Sequence, residues 1–206
     1  MSVITCRSNV LRGVRPLPRN LPNEAQYNYV GGNSGSWQVT QLQALRGSPL
    51  SSVRHLEVIK GQLDRPLTGA SWVLSGLVRN TRYVSREEPN LSDSGRRQVP
   101  KSDAPCAALI AIRRSEQWWQ LGQAARREIM EVRSLYLTAG LHYLSGMMRR
   151  WQHRRDLSEQ FDCVTWFEYE PRDSAAFDDI LFDWRASEEW NYVDRECDIR
   201  LIQSGG

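Results

Sequence analysis

Few residue types in this 206-residue chain are placed to do chemistry. Its three histidines, His55, His142 and His153, leave little room for a histidine-based metal site. The four cysteines, Cys6, Cys106, Cys163 and Cys197, show no CxxC spacing, which argues against zinc or a redox dithiol. Three of them, Cys106, Cys163 and Cys197, fall inside apolar strand patterns, where free cysteine behaves as a small hydrophobe. Gly31-Gly32-Asn33-Ser34-Gly35 reads as a turn and not a phosphate loop, because a strand follows and no Lys-Ser/Thr closes it. What remains are arginines, carboxylates and aromatic rings. Arg113-Arg114 ends an apolar strand pattern, Trp118-Trp119 opens a helix, and Tyr136 lies on a helical apolar stripe. Arg149-Arg150 and Ser187-Glu188-Glu189-Trp190 follow. Arginine suits fork-shaped pairing with carboxylates or small anions, and eight tryptophans predict an aromatic core or a pocket for a flat ligand.

Each of these residues also has an ordinary structural role open to it. Tyr136 can simply be core, a tryptophan pair at a helix start usually packs, and Arg149 and Arg150 can be solvated charges. The excess of arginine, with only Lys60 and Lys101 as lysines, is equally expected of a GC-rich genome. Glu189, read as trailing a helix, sits where a negative charge is electrostatically poor, and that misplacement points to a local role. His153, in Trp151-Gln152-His153-Arg154-Arg155, reads as a surface or packing residue.

The elements that must position these groups change character along the chain. Residues 1–29, with several prolines and asparagines and no apolar periodicity, read as an extended or disordered arm. Strand patterns cover Trp37 to Leu45, His55 to Lys60, Trp72 to Tyr83 and Cys106 to Arg113, and polar Glu87 to Asp103 reads as a surface loop. From Trp118 to about Trp151 the period is helical, with Ile129, Val132, Tyr136, Gly140, Tyr143 and Met147 on one face. Gly140 and Ser145-Gly146 divide this stretch into two helices. Phe161 to Tyr169 alternates strictly. A helix from Ser174, capped by Asp173 or Ser174, turns Phe177, Ile180, Leu181 and Trp184 inward. Tyr192 to Ile202 is a last strand, with Val193, Cys197, Ile199 and Leu201 facing one way and Asp194, Glu196, Asp198 and Arg200 the other. The order predicts an α+β fold with antiparallel sheets.

Composition excludes several function classes. The longest mostly apolar run, Pro105 to Ile112, is far short of the ~20 residues a membrane helix needs. Met1 to Asn20 lacks the apolar core of a secretory signal, so a soluble, cytoplasmic chain is expected. The net charge of +3 is spread among acidic residues, which gives no basic stripe for nucleic acid.

Taken together, Ile112-Arg113-Arg114, Trp118-Trp119, Arg149-Arg150 and Ser187-Glu188-Glu189-Trp190 resemble the chlorite dismutase family, in particular its short-chain, dimeric branch. Phe161-Asp162-Cys163-Val164-Thr165-Trp166-Phe167-Glu168-Tyr169 and Asp194 to Leu201 extend the likeness, which covers roughly residues 30–203. The resemblance implies a ferredoxin-like fold, an antiparallel β-barrel flanked by helices, in a single domain over residues 30–206. A shortened half spans 30–115 and a heme-pocket half spans 116–206. It also implies heme b, a homodimer and a small anionic or oxidant substrate. In such proteins a histidine ligates the iron, a glutamate orients it, and an arginine on the open side steadies the anion as chlorite becomes chloride and dioxygen. By position the arginine corresponds to Arg149, the glutamate to Glu189 and the tryptophans beside the porphyrin to Trp118 and Trp119. Arg114 stands where a lysine meets a heme propionate, and can act there as a cation.

The departure is at the iron. The proximal position holds Tyr136, next to Leu135, and His142 lies about 240° further round an ideal helix. Tyrosinate ligates ferric heme in catalases beside an arginine. Here Glu189 alone would oppose the phenolate and accept a hydrogen bond from the neutral phenol. Three functions stay open: a heme-dependent oxidoreductase with altered proximal ligation, a heme-free enzyme reusing the pocket for a flat or anionic substrate, and a non-catalytic heme-binding protein. Loss of the imidazole removes the electron donation that supports O–Cl cleavage, so efficient chlorite breakdown is not expected of any of them.

Overall fold

The structure, a computed structural model, describes residues 26–63, 67–77, 105–130, 148–153 and 160–204. Eight antiparallel strands form a closed ring: β1 (Gln26–Gly32), β2 (Trp37–Arg46), β3 (His55–Lys60), β4 (Ala70–Leu77), β5 (Cys106–Arg114), β6 (Met148–His153), β7 (Cys163–Tyr169) and β8 (Val193–Gln203). Around the ring the order is β1-β3-β2-β8-β5-β7-β6-β4, and the seam between β4 and β6 is the single pair Leu77↔His153. The order 4-1-3-2 in the first half reappears as 8-5-7-6 in the second. The barrel is therefore two ferredoxin-like halves joined edge to edge. Because β5 pairs with both β7 and β8, the second half begins at Cys106, ahead of the boundary expected near residue 115.

The halves differ in their connections. β1 and β2 are joined by a few residues, whereas the second half carries helices in both of its crossovers. α1 (Glu116–Gln120) and α2 (residues 123–130) follow β5, and α3 (Ser174–Arg185) lies between β7 and β8. Ser115 caps α1 by accepting a hydrogen bond from the Trp118 main-chain N–H at 3.4 Å. Asp173 occupies the N-cap position of α3, without a side-chain capping bond.

Alternation along β5 decides what each face covers. Ala107, Leu109 and Ala111 face the barrel interior, where Trp166 stacks on Tyr29 and meets the edge of Trp37, each with ring centres 5.3 Å apart. Ala108, Ile110 and Ile112 face outward onto α3, whose Phe177, Leu181 and Trp184 are buried against them. Each such side chain contributes roughly 1.5–3 kcal/mol on leaving water. This face holds the candidate site, because the crossover helices lie on it. Val193 belongs to the same outward cluster, not with Cys197, Ile199 and Leu201 in the interior, since the β5–β8 pairing shifts register at Arg113/Arg114.

Three expectations need correcting. Residues 26–29, assigned to the N-terminal arm, belong to β1, which pairs with β3 and β4. Gly31 and Gly32 belong to the same strand and not to a turn; a Cβ at Gly31 would lie 2.3 Å from the Trp72 indole, so the ring sits directly on the backbone. Met148 to His153, read as the end of a helical stretch, form β6. Residues 131–147, with Leu135, Tyr136 and His142, lie outside the described residues, as do the arm before residue 26 and the loop expected over Glu87 to Asp103.

Candidate functional site

Arg114 is the last residue of β5 and falls on the row of Ile110 and Ile112, facing the helices. It is 5% exposed. Its main-chain N–H donates to Asp162 Oδ2 at 2.6 Å, which fixes the strand end. Its guanidinium donates to Glu189 Oε1 through Nε at 3.1 Å and also through Nη2. Glu189 itself is fully buried. Burial alone would lower the Arg114 pKa, but the Glu189 carboxylate, helped by Cys163 and Asp162, holds it above the ordinary arginine value. The pair is thus a buried ion pair on the outward face of the barrel.

Glu189 occupies the first turn of a 3-10 segment, Glu188–Tyr192, that starts anew after α3. It does not trail the end of α3, so the electrostatic misplacement expected from the sequence disappears. Several groups immobilise this turn. Arg46 from β2 donates through Nη1 to the carbonyls of Trp190 at 2.6 Å and Val193 at 3.0 Å. Trp190 Nε1 donates to Glu196 Oε2 at 2.9 Å, and Arg185 Nε donates to Glu196 Oε1 at 2.8 Å. The Ser115 N–H donates to the Tyr192 carbonyl at 2.7 Å, tying the turn to the start of α1. The acids of β8 expected to face away from its apolar row, Glu196 and Asp198, are accordingly buried, with Arg185 at the end of α3 paired to both. Neither Arg46 nor this network was legible as part of the site; the only sequence signal is an arginine ending α3 opposite an alternating acidic row.

Trp118 lies against the ion pair, with Arg114 Cζ 4.9 Å from its ring centre. The indole is fully buried with Ile129 and Met130 and meets Tyr192 edge-on at 5.6 Å. Its Nε1–H has no acceptor among the described residues. Trp119 is half-buried at the edge of the same cluster, with the Arg126 guanidinium 5.6 Å from its ring centre. Of the six residues singled out from the sequence, Arg114, Glu189, Trp118 and Trp119 therefore converge. Arg149 lies on β6 opposite Phe167, a residue of the helix-facing row, whereas the partner of Arg150 is Trp166 in the barrel interior. Tyr136 lies outside the described residues.

Other polar groups are occupied elsewhere. A cleft of about 370 Å³ between β2, β8 and the start of α3 contains Arg200, which is paired with Asp198 at 2.6 Å and Asp178 at 2.8 Å. Burial raises the pKa of the Cys106 and Cys197 thiols, which favours their protonated form. Among the described residues no group of three or more histidine, cysteine, aspartate or glutamate side chains is placed to hold a metal ion. None of the described helices is long and apolar enough to cross a membrane.

Comparison with known proteins gives a consistent answer. No family model matches the chain, and neither does any curated protein. Among solved structures, the dimeric chlorite dismutase of Nitrobacter winogradskyi is 36% identical, with a TM-score of 0.71 over 86% of this chain and 99% of that one. An arginine-to-alanine mutant of the chlorite dismutase of Candidatus Nitrospira defluvii aligns with a TM-score of 0.61 at 14% identity, over 89% of this chain and 93% of that one. The same enzyme in complex with imidazole aligns at 0.60 and 15% identity, with the same coverage. The two distant matches show the fold; the first shows kinship, and the chain belongs to the chlorite dismutase family.

Proposed function

We propose that this chain is a heme b-binding oxidoreductase of the chlorite dismutase type, with Tyr136 in place of the proximal histidine and a changed reaction. The observation that carries the reading is the buried Arg114–Glu189 pair, set against Trp118 on the helix-facing side of the second half. A fully buried carboxylate held by a buried arginine is an expensive arrangement for mere packing; Glu189 stands where the family likeness expects the residue that orients the proximal ligand, and Arg114 where it expects a cation beside a heme propionate. The residues present fit a porphyrin acid: Trp118 offers a buried N–H donor without an acceptor, beside flat aromatic surface. Heme, when bound, supplies an iron that exchanges electrons with an oxidant.

The chain's own residues have distinct tasks. Glu189 faces the group at position 136 and orients it, accepting a hydrogen bond from it as long as the phenol is protonated. Arg114 compensates the Glu189 charge, so a phenolate at that position faces an ion pair instead of a bare carboxylate. This reduces the electrostatic opposition to tyrosinate that Glu189 alone would exert. Arg149 steadies a small anionic oxidant on the other side. The protein acts as a homodimer, in line with the dimeric state stated for its 36% identical relative. Titration of the purified chain with hemin tests the reading. A saturable Soret band at one hemin per chain is expected, and its position shifts in Tyr136→Phe. Absence of a saturable band would defeat the proposal.

A further inference from the structure

The barrel interior holds a group of aromatic rings joined through Trp166, on the side of β7 turned away from the proposed pocket. Trp166 is fully buried, stacks on Tyr29 and meets Trp37 edge-on, each with ring centres 5.3 Å apart. Such contacts are ordinary core packing. The unusual feature is the acceptor of the Trp166 N–H, which is the Glu168 carboxylate, Oε1, at 2.7 Å. Trp72, in the same cluster, donates instead to the Ser51 main-chain carbonyl at 2.9 Å. Either acceptor satisfies a buried indole, but only a carboxylate can take its proton. Trp190 also donates to a carboxylate, Glu196, but that acid is ion-paired with Arg185 and lies outside the barrel interior. Phe167, the next residue of β7, belongs to the helix-facing cluster, so a single strand separates Trp166 from that side.

We propose that Trp166 is a redox-active residue that gives an electron to the oxidised pocket, with Tyr29 and Trp37 sharing the resulting hole and Glu168 taking the proton. The proposal rests on the heme reading, in which peroxide-oxidised heme is the electron acceptor. In the step, the heme is reduced by one electron and Trp166 is oxidised by one. The indole N–H bond breaks, its electron pair stays on nitrogen, and its proton bonds to Glu168 Oε1. A neutral tryptophanyl radical remains, and the apolar interior is spared a cationic ring. Trp37, 9% exposed where Tyr29 and Trp166 are fully buried, is the outlet. There a one-electron donor of the phenol or ascorbate class refills the hole, and Glu168 returns the proton. The relay draws an unspent oxidising equivalent away from Trp118 and Trp119, on the helix-facing side.

The test follows the hemin-loaded chain by freeze-quench electron paramagnetic resonance after addition of hydrogen peroxide. Wild type, Trp166→Phe and Glu168→Gln are compared, each checked by thermal melting, and ring-deuterated tryptophan or tyrosine identifies the radical by line narrowing. The wild-type chain gives a tryptophanyl radical without an exchangeable-proton coupling, and that signal is lost in Trp166→Phe. Glu168→Gln, whose amide oxygen accepts the hydrogen bond but not the proton, gives the cation radical instead. It is recognised by a proton coupling that vanishes in deuterium oxide, and it decides alone if the smaller ring of Trp166→Phe unfolds the core. A tryptophanyl signal that persists in Trp166→Phe, or a Glu168→Gln spectrum identical to wild type, overturns the relay. A saturable Soret band without a radical at Trp166 removes the relay and leaves the heme reading standing. If no porphyrin binds, both fall.

Discussion

Glu189→Ala is expected to cost about 3–5 kcal/mol of folding stability, because it leaves the buried Arg114 guanidinium without its counter-charge. Arg114 is 5% exposed and Glu189 fully buried, so water cannot take over the lost interaction without opening the α1 corner. The 3-10 turn that carries Glu189 is held from several sides by Arg46, Trp190 and the Ser115 amide, so it will not swing aside to admit water. Replacing both partners by apolar residues, as in Arg114→Met with Glu189→Leu, is expected to recover most of the loss, since the desolvation penalty of both ions disappears with them. Urea unfolding of the single and double variants measures this. A Glu189→Ala protein within about 1 kcal/mol of wild type would mean that the pair is hydrated and not the rigid element described here.

The second large effect falls on turnover. With hemin bound, Arg149→Ala is expected to lower kcat/KM for a small anionic oxidant about 100-fold, the scale seen when one preorganised donor to developing negative charge is removed. Hemin affinity should stay within about twofold of wild type, since Arg149 is assigned to the anion and not to the porphyrin. The separation matters: a structural role for Arg149 would move both quantities together, and a pure binding role would raise KM with kcat unchanged. Equal rates for the variant and the wild type would remove Arg149 from the reaction.

How far the sequence exposed this arrangement depended on whether the forces were local. β3 was legible residue for residue because His55 to Lys60 is a short run bounded by turn signals. The alternation of β7 was equally plain, although both of its faces are buried, one against Trp37 and Tyr29 and the other against α3. β1 was not legible. Its Gln26 and Asn28 look like loop residues, yet they are buried and bonded to each other, and Asn28 Nδ2 donates to the Gly61 carbonyl at 2.6 Å. Its paired glycines mimic a turn, whereas Gly31 is there to admit Trp72. β6 was misread because Met147 and Trp151 continue a helical spacing, and only pairing with β7 reveals a strand. The site shows the same division. Trp118, Trp119, Arg114 and Glu189 were found as residue types in a family pattern, but the partnership of Arg114 with Glu189 spans 75 positions and has no local signature.

The central claim, a heme pocket in which the proximal imidazole has been replaced at position 136, is tested most directly by resonance Raman spectroscopy of the ferrous hemin complex. The account predicts no iron–imidazole stretch in the wild-type chain and its appearance in Tyr136→His, where the retained Glu189–Arg114 pair would orient the new ligand. An iron–imidazole stretch in the wild-type protein would contradict it, since another histidine would then be supplying the bond.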